Sequence, residues 1–259
     1  MKKLTYGLLL ALIAVVVLAG CGVLQEPEAA SGTIEAIPLA TQSAGAVVES
    51  TDVAPTARVD EATVAANPTA EAAVATEAPV SEPVVFTIDS AASQVRFQLD
   101  EDLRGERKTV VGATDQVAGQ LSIDLADLSS AQVGVIQINA RTLATDSNFR
   151  NRAIQNEILD TGDYEFITFT PTGLEGLPAA AAVGETITFS LVGDLTIRDV
   201  TLPATFAVEA TAVSERQITG TATAIVNRAD FGLQIPSVPN VANVEEEVEL
   251  YIDFTANAS

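Results

Sequence analysis

The sequence predicts an all-β fold of about eight antiparallel strands with one short helical insertion, preceded by a long tether. Three observations carry that prediction. From Val84 onward, apolar and polar residues alternate with period two, the pattern of strands with one buried face. All nine phenylalanines stand at Phe86 or later, so the large side chains that build a core are confined to this part. Residues 22–83 hold six of the 11 prolines, a single basic residue (Arg58) and no aromatic residue.

The chain begins with Lys2 and Lys3, then a nearly unbroken apolar run from Tyr6 to Ala19 that leads into Gly20-Cys21. A basic start, a short apolar stretch and small residues before a cut mark a secretory signal peptide. The run is 14 residues long, short of the roughly 20 that span a bilayer, which speaks against a retained transmembrane helix. Leu18-Ala19-Gly20-Cys21 resembles the lipobox of bacterial lipoproteins. That resemblance implies a signal peptide over 1–20, a diacylglycerol on the Cys21 sulfur and an acyl chain on its amine. It implies an extracytoplasmic protein, lipid-anchored to a cell membrane; which envelope face carries it stays open.

Residues 21–83 are expected to form the acylated N-terminus and a disordered Pro/Ala/Thr/Glu-rich linker. Without large side chains, such a segment buries too little apolar surface to offset the entropy of ordering it. A flexible chain of this length spans on the order of 45 Å.

Residues 84–259 form the predicted barrel domain. Val95, Phe97 and Leu99 alternate with polar neighbours, as do Leu121, Ile123 and Leu125. Ile187, Phe189 and Leu191 follow, then Ile218, Gly220, Ala222, Ala224 and Val226, and finally Val248, Leu250, Ile252 and Phe254. Further strands are expected at 133–140, 164–170, 195–197 and 204–212. One stretch departs from period two. Phe149, Ala153, Ile154 and Ile158 recur at helical spacing, with Asp146 or Ser147 as N-cap and Gly162 beyond the end. Gly220, Ala222 and Ala224 on one apolar face leave two readings open. The barrel interior is either unfilled, wide enough for a small ligand, or crowded at a tight curve.

Composition excludes several function classes. The chain has no histidine, which removes the usual general base at neutral pH and the commonest metal ligand. Neither GxxxxGK[ST] nor GxGxxG occurs. The formal charge is −22, and −24 once the signal segment and its two lysines are removed. Nucleic-acid binding, which needs clustered Lys and Arg, is not expected. Cys21 is the single cysteine, so no disulfide forms within the chain. No cofactor is expected beyond a bound lipid.

Short motifs in order then resemble one family. Phe86-Thr87-Ile88-Asp89 with Ser93-Gln94-Val95-Arg96-Phe97 opens the series. Asn148-Phe149-Arg150-Asn151-Arg152 follows, with Tyr164-Glu165-Phe166 after it. Gly193-Asp194-Leu195-Thr196-Ile197-Arg198 and Asn227-Arg228-Ala229-Asp230-Phe231-Gly232 complete it. Residues 84–257 resemble the YceI-like lipid-binding domains. Phe86 stands where tryptophan is usual, Asn151 where aspartate is, and Asp199 where glycine is.

The resemblance implies an extended, lipocalin-like antiparallel β-barrel that holds a long isoprenoid, such as a polyprenyl chain or a quinone tail. It places Phe97, Phe149, Ile154, Phe169, Phe189, Leu195, Phe206 and Phe231 near such a ligand. Arg150 and Arg152 are read as pairing with nearby acids rather than holding a head group. Arg228 and Asp230 are read as a structural ion pair. The expected partners are an amphiphilic lipid and, through the acyl anchor, a membrane; association into a homodimer stays open. The chain is read as a non-enzyme. A structural or interaction domain displayed on a stalk is the alternative. Catalysis by carboxylates such as Asp230 and Glu209 would need a cleft with two facing acids.

Overall fold

The computed structural model describes residues 25–39 and 82–259. The expected signal peptide, Cys21 and residues 22–24 and 40–81 of the expected linker lie outside the described residues. The folded part is one antiparallel sheet that curls into a barrel. Its strands are β1 (Val84–Ile88), β2 (Gln94–Leu103), β3 (Glu106–Thr114), β4 (Val117–Ala118), β5 (Gln120–Ile123), β6 (Gln132–Val133) and β7 (Ile136–Asn139). They continue as β8 (Phe166–Glu175), β9 (Thr186–Ile197), β10 (Val200–Ser214), β11 (Gln217–Asn227), β12 (Val241–Ala242) and β13 (Glu247–Ala258).

The order runs β4-β7-β8-β9-β10-β11-β13-β1-β5. β4 and β5 are one stretch of chain interrupted at Gly119, so the path returns to where it began. β13 holds β11 along one edge and divides the other between β1, at Ala256–Ala258, and β2, at Glu249–Asp253. At the β2 end, Ala113 of β3 bridges to Ala144. The two expected strands at 187–191 and 195–197 are one 12-residue strand, and 204–212 extends to 15 residues.

The helical insertion is α1 (Asn148–Ala153), continued by a π-turn over Ile154–Ile158. Of the two candidate caps, Ser147 serves: its hydroxyl accepts from the Arg150 N–H. Asn151 Oδ1 accepts from the Thr145 N–H at 2.7 Å and ties the helix to the loop that enters it.

Phe86 and Phe169, each 1% exposed, centre the core. Phe169 meets Phe206 edge to face at 4.9 Å, the arrangement that ring quadrupoles favour. Gly220 settles its two readings. A Cβ there would lie 2.7 Å from the Phe254 ring, which stands opposite on β13. Ala222 and Ala224 are buried in the core cluster. These small residues relieve crowding and do not mark empty space.

Residues 25–39 differ from a free tether. The Gln25 carbonyl accepts from Asn156 Nδ2 at 3.0 Å. Glu28 pairs with Arg141 at 2.9 Å, and the Ala29 carbonyl accepts from the same guanidinium. The Ser31 N–H donates to Glu165, Ile34 is buried, and the Leu39 N–H donates to Gln120. The strap therefore runs from the helical insertion to β5. It is held mostly by its backbone groups, which is why a composition poor in large side chains does not prevent it from docking.

Candidate functional site

Along the barrel axis the strands pass from open space to packed core and back. On β10, Phe206 faces a cavity, Val208 is packed core, and Ala210 faces a second, smaller cavity. On β9 the same sequence is Leu195, Leu191 and Phe189. The lumen is thus divided by a plug that includes Phe86, Leu191, Val208 and Ala222. The larger cavity measures about 460 Å³ and the smaller about 70 Å³. The larger lies in the range of roughly 300–1,000 Å³ typical of small-molecule sites.

Phe97, Phe149, Ile154, Phe169, Leu195, Phe206 and Phe231 all stand on the wall of the larger cavity. Phe189 does not: it lies on the smaller cavity, beyond the plug. Beyond Ile154 and Leu195, the aliphatic part of the wall was not among the expected ligand contacts. Val95 and Leu99 of β2 and Leu250 and Ile252 of β13 belong to it. Their signal was already present as inward positions of alternating strands. Ile235, Pro236, Val238 and Pro239 also belong to it. There the signal was an apolar run in a segment whose prolines deny it a central strand.

The inward face of β2 is only half-buried, whereas Phe169 and Leu195 across the lumen are nearly inaccessible. A strand whose apolar face is lined up but not covered is facing unfilled volume.

Charged groups gather at one end of the cavity, where α1, the β2–β3 turn and residues 228–246 meet. The side chain of Glu101 is 7% exposed and receives Arg150 Nη2 at 2.7 Å. A carboxylate so buried requires its partner. Arg150 also reaches Asp146 at 2.5 Å, and Lys108 reaches Asp146 at 2.6 Å. The hydrogen bond from Lys108 is the main cause that holds the Asp146 carboxyl below its ordinary value; burial opposes it, and Arg150 adds to it. Arg150 therefore pairs with acids as expected, while Arg152 makes no ion pair among the described residues. Arg228 does not pair with Asp230. It bonds Glu246 at 2.7 Å and the carbonyls of Leu233 and Glu245, because the β11–β13 connection folds back across it. Among the described residues, no group of three or more His, Cys, Asp or Glu could hold a metal ion.

An antiparallel barrel with a mainly apolar internal cavity, most of its charged lining at one end, is an architecture of lipocalin-like type. The sequence profile of the YceI-like domain matches residues 86–256, and the chain belongs to that family. Two Staphylococcus aureus proteins of the UPF0312 group, from strains MSSA476 and MW2, are 29% identical over 159 residues. The match covers 57% of this chain and 81% of theirs. The fold is similar to that of a polyisoprenoid binding domain from Saccharophagus degradans, with a TM-score of 0.53 and 16% identity. That match covers 68% of this chain and 99% of that one. BcnA of Burkholderia cenocepacia is similar at a TM-score of 0.51 and 19% identity, covering 66% and 99%.

Proposed function

We propose that this protein is a membrane-anchored extracytoplasmic binding protein. It holds an isoprenoid, of polyprenyl or quinone type, or a similar amphiphile inside the barrel, for storage or transport. The observation that carries the reading is the 460 Å³ cavity with an aromatic and aliphatic wall and most of its charged lining gathered at one end. An extended apolar chain gains about 0.8 kcal/mol for each methylene it removes from water. A wall of phenylalanine and branched aliphatic side chains supplies that gain without requiring directional polar contacts. The tail fills the lumen and the head group stays at the charged end, beside Arg104 and Lys108. The described polyisoprenoid binding of the Saccharophagus degradans domain supports this reading through the shared fold. The reading includes no catalytic step.

Solvent extraction of the purified protein followed by mass spectrometry tests it. The expected result is a prenyl-type or similar lipid in near-stoichiometric amount. Preparations that stay empty, including after incubation with prenyl lipids, overturn it. The anchor is tested separately by the intact mass of the membrane-extracted chain, which should begin at an acylated Cys21.

A further inference from the structure

We infer that the docked strap 25–39 holds the open end of the barrel against the bilayer, with α1 as the contact surface. This rests on the acyl-anchor reading of Cys21. A free linker would let the barrel range on the order of 45 Å from its anchor. The strap removes that freedom, because its first described residue is already fastened to the fold: the Gln25 carbonyl takes a hydrogen bond from Asn156, in the π-turn that continues α1. Only four residue steps lead from Cys21 to Gln25. Fully extended, they reach about 14 Å. The acyl chains therefore enter the membrane close to the helical insertion.

The surface near that point is suited to lipid head groups. The chain is strongly acidic, yet α1 carries Arg150 and Arg152 and no acid. Arg152 has no ion-pair partner among the described residues, and Phe149 beside it is 51% exposed. The exposed Phe149 ring with Arg152 beside it is the composition of a surface that rests at a bilayer interface, an aromatic side chain next to a cation that anionic lipid attracts. Phe149 and Arg150 also stand on the cavity wall. The same face that meets the membrane is thus the rim through which a lipid enters, so cargo passes between bilayer and barrel without crossing water.

The test uses the full acylated chain in vesicles of phosphatidylcholine and phosphatidylglycerol that contain a fraction of brominated lipid. Acylation blocks the native thiol, so a fluorophore can be placed at one new cysteine, either Asn148→Cys on α1 or Glu215→Cys in the β10–β11 turn at the opposite end. Quenching at 148 is expected to exceed that at 215 several-fold. Ile34→Asp, or replacement of 25–39 by a Gly/Ser segment of equal length, should bring the two sites to similar, weak quenching while cavity lipid is retained. Equal quenching of both sites in an acylated chain overturns the inference and leaves the anchor standing. An unacylated Cys21, read from the intact mass, overturns the anchor and the inference with it.

Discussion

Phe97 on β2 lies over Gly112, its direct partner on β3, so closely that a Cβ on Gly112 would fall within the space of the ring. The glycine is there to seat an aromatic side chain of the cavity wall. Gly112→Ala should drive Phe97 into the lumen. The expected outcome is reduced lipid occupancy by extraction and mass spectrometry, with overpacking lowering stability by about 1–3 kcal/mol in denaturant titrations. A variant that keeps full occupancy would show that the ring has another place to go.

The plug between the two cavities sets how long a chain the barrel accepts. Leu191 lies on β9 between Leu195, at the larger cavity, and Phe189, at the smaller. Leu191→Ala should join the two spaces and shift bound lipid towards longer tails, read from the chain-length distribution in extracts. Its stability cost is expected at about 2–5 kcal/mol, the range for buried Leu→Ala changes. If the distribution stays the same, the tail does not reach the plug.

Much of this arrangement was legible because strands with one buried face write their period into the sequence. β11 appears there almost residue for residue, and β13 as far as Phe254, short of the end that pairs with β1. What was not legible depends on contacts between distant positions. Phe189 and Leu195 share a strand and a face, and only the register of the plug separates them. Arg228 pairs with Glu246, 18 residues away, and not with the nearer Asp230. The π-turn adds a residue to the helical repeat where spacing alone suggests a plain α-helix. The strap was illegible for a further reason: backbone groups, one ion pair and Ile34 hold it, and none of these has a period.

The Glu101–Arg150 pair fastens α1 to β2 at the open end of the cavity. Arg150→Met keeps an unbranched apolar stem but leaves Glu101 buried without its cation. Removing one partner of such a pair costs about 3–5 kcal/mol. The prediction is lower stability together with faster lipid release to acceptor vesicles, since α1 covers the rim. Glu101→Gln with Arg150→Met, which removes both charges, should recover most of the stability. Failure of that recovery would mean that Arg150 acts through Asp146 instead.

Asp146 makes the same rim sensitive to acid. Its carboxylate accepts from Lys108 on β3 and from Arg150 on α1, and its pKa is lowered in the fold. A group with a depressed folded pKa stabilises the native state above its ordinary carboxylate value and loses that contribution as pH falls through the depressed one. Asp146 is more than half exposed, so solvent screening keeps the contribution small, and global unfolding should move little. The local effect is the informative one. Protection factors of the α1 amides, corrected for intrinsic exchange, should fall, and release of cavity lipid should accelerate, as pH drops below the carboxylate range. Asp146→Asn should show the lower protection already at neutral pH and no further acid-induced loss as pH falls through and below that range. An Asn variant with an acid response identical to that of the parent would assign the sensitivity to another carboxylate at the rim.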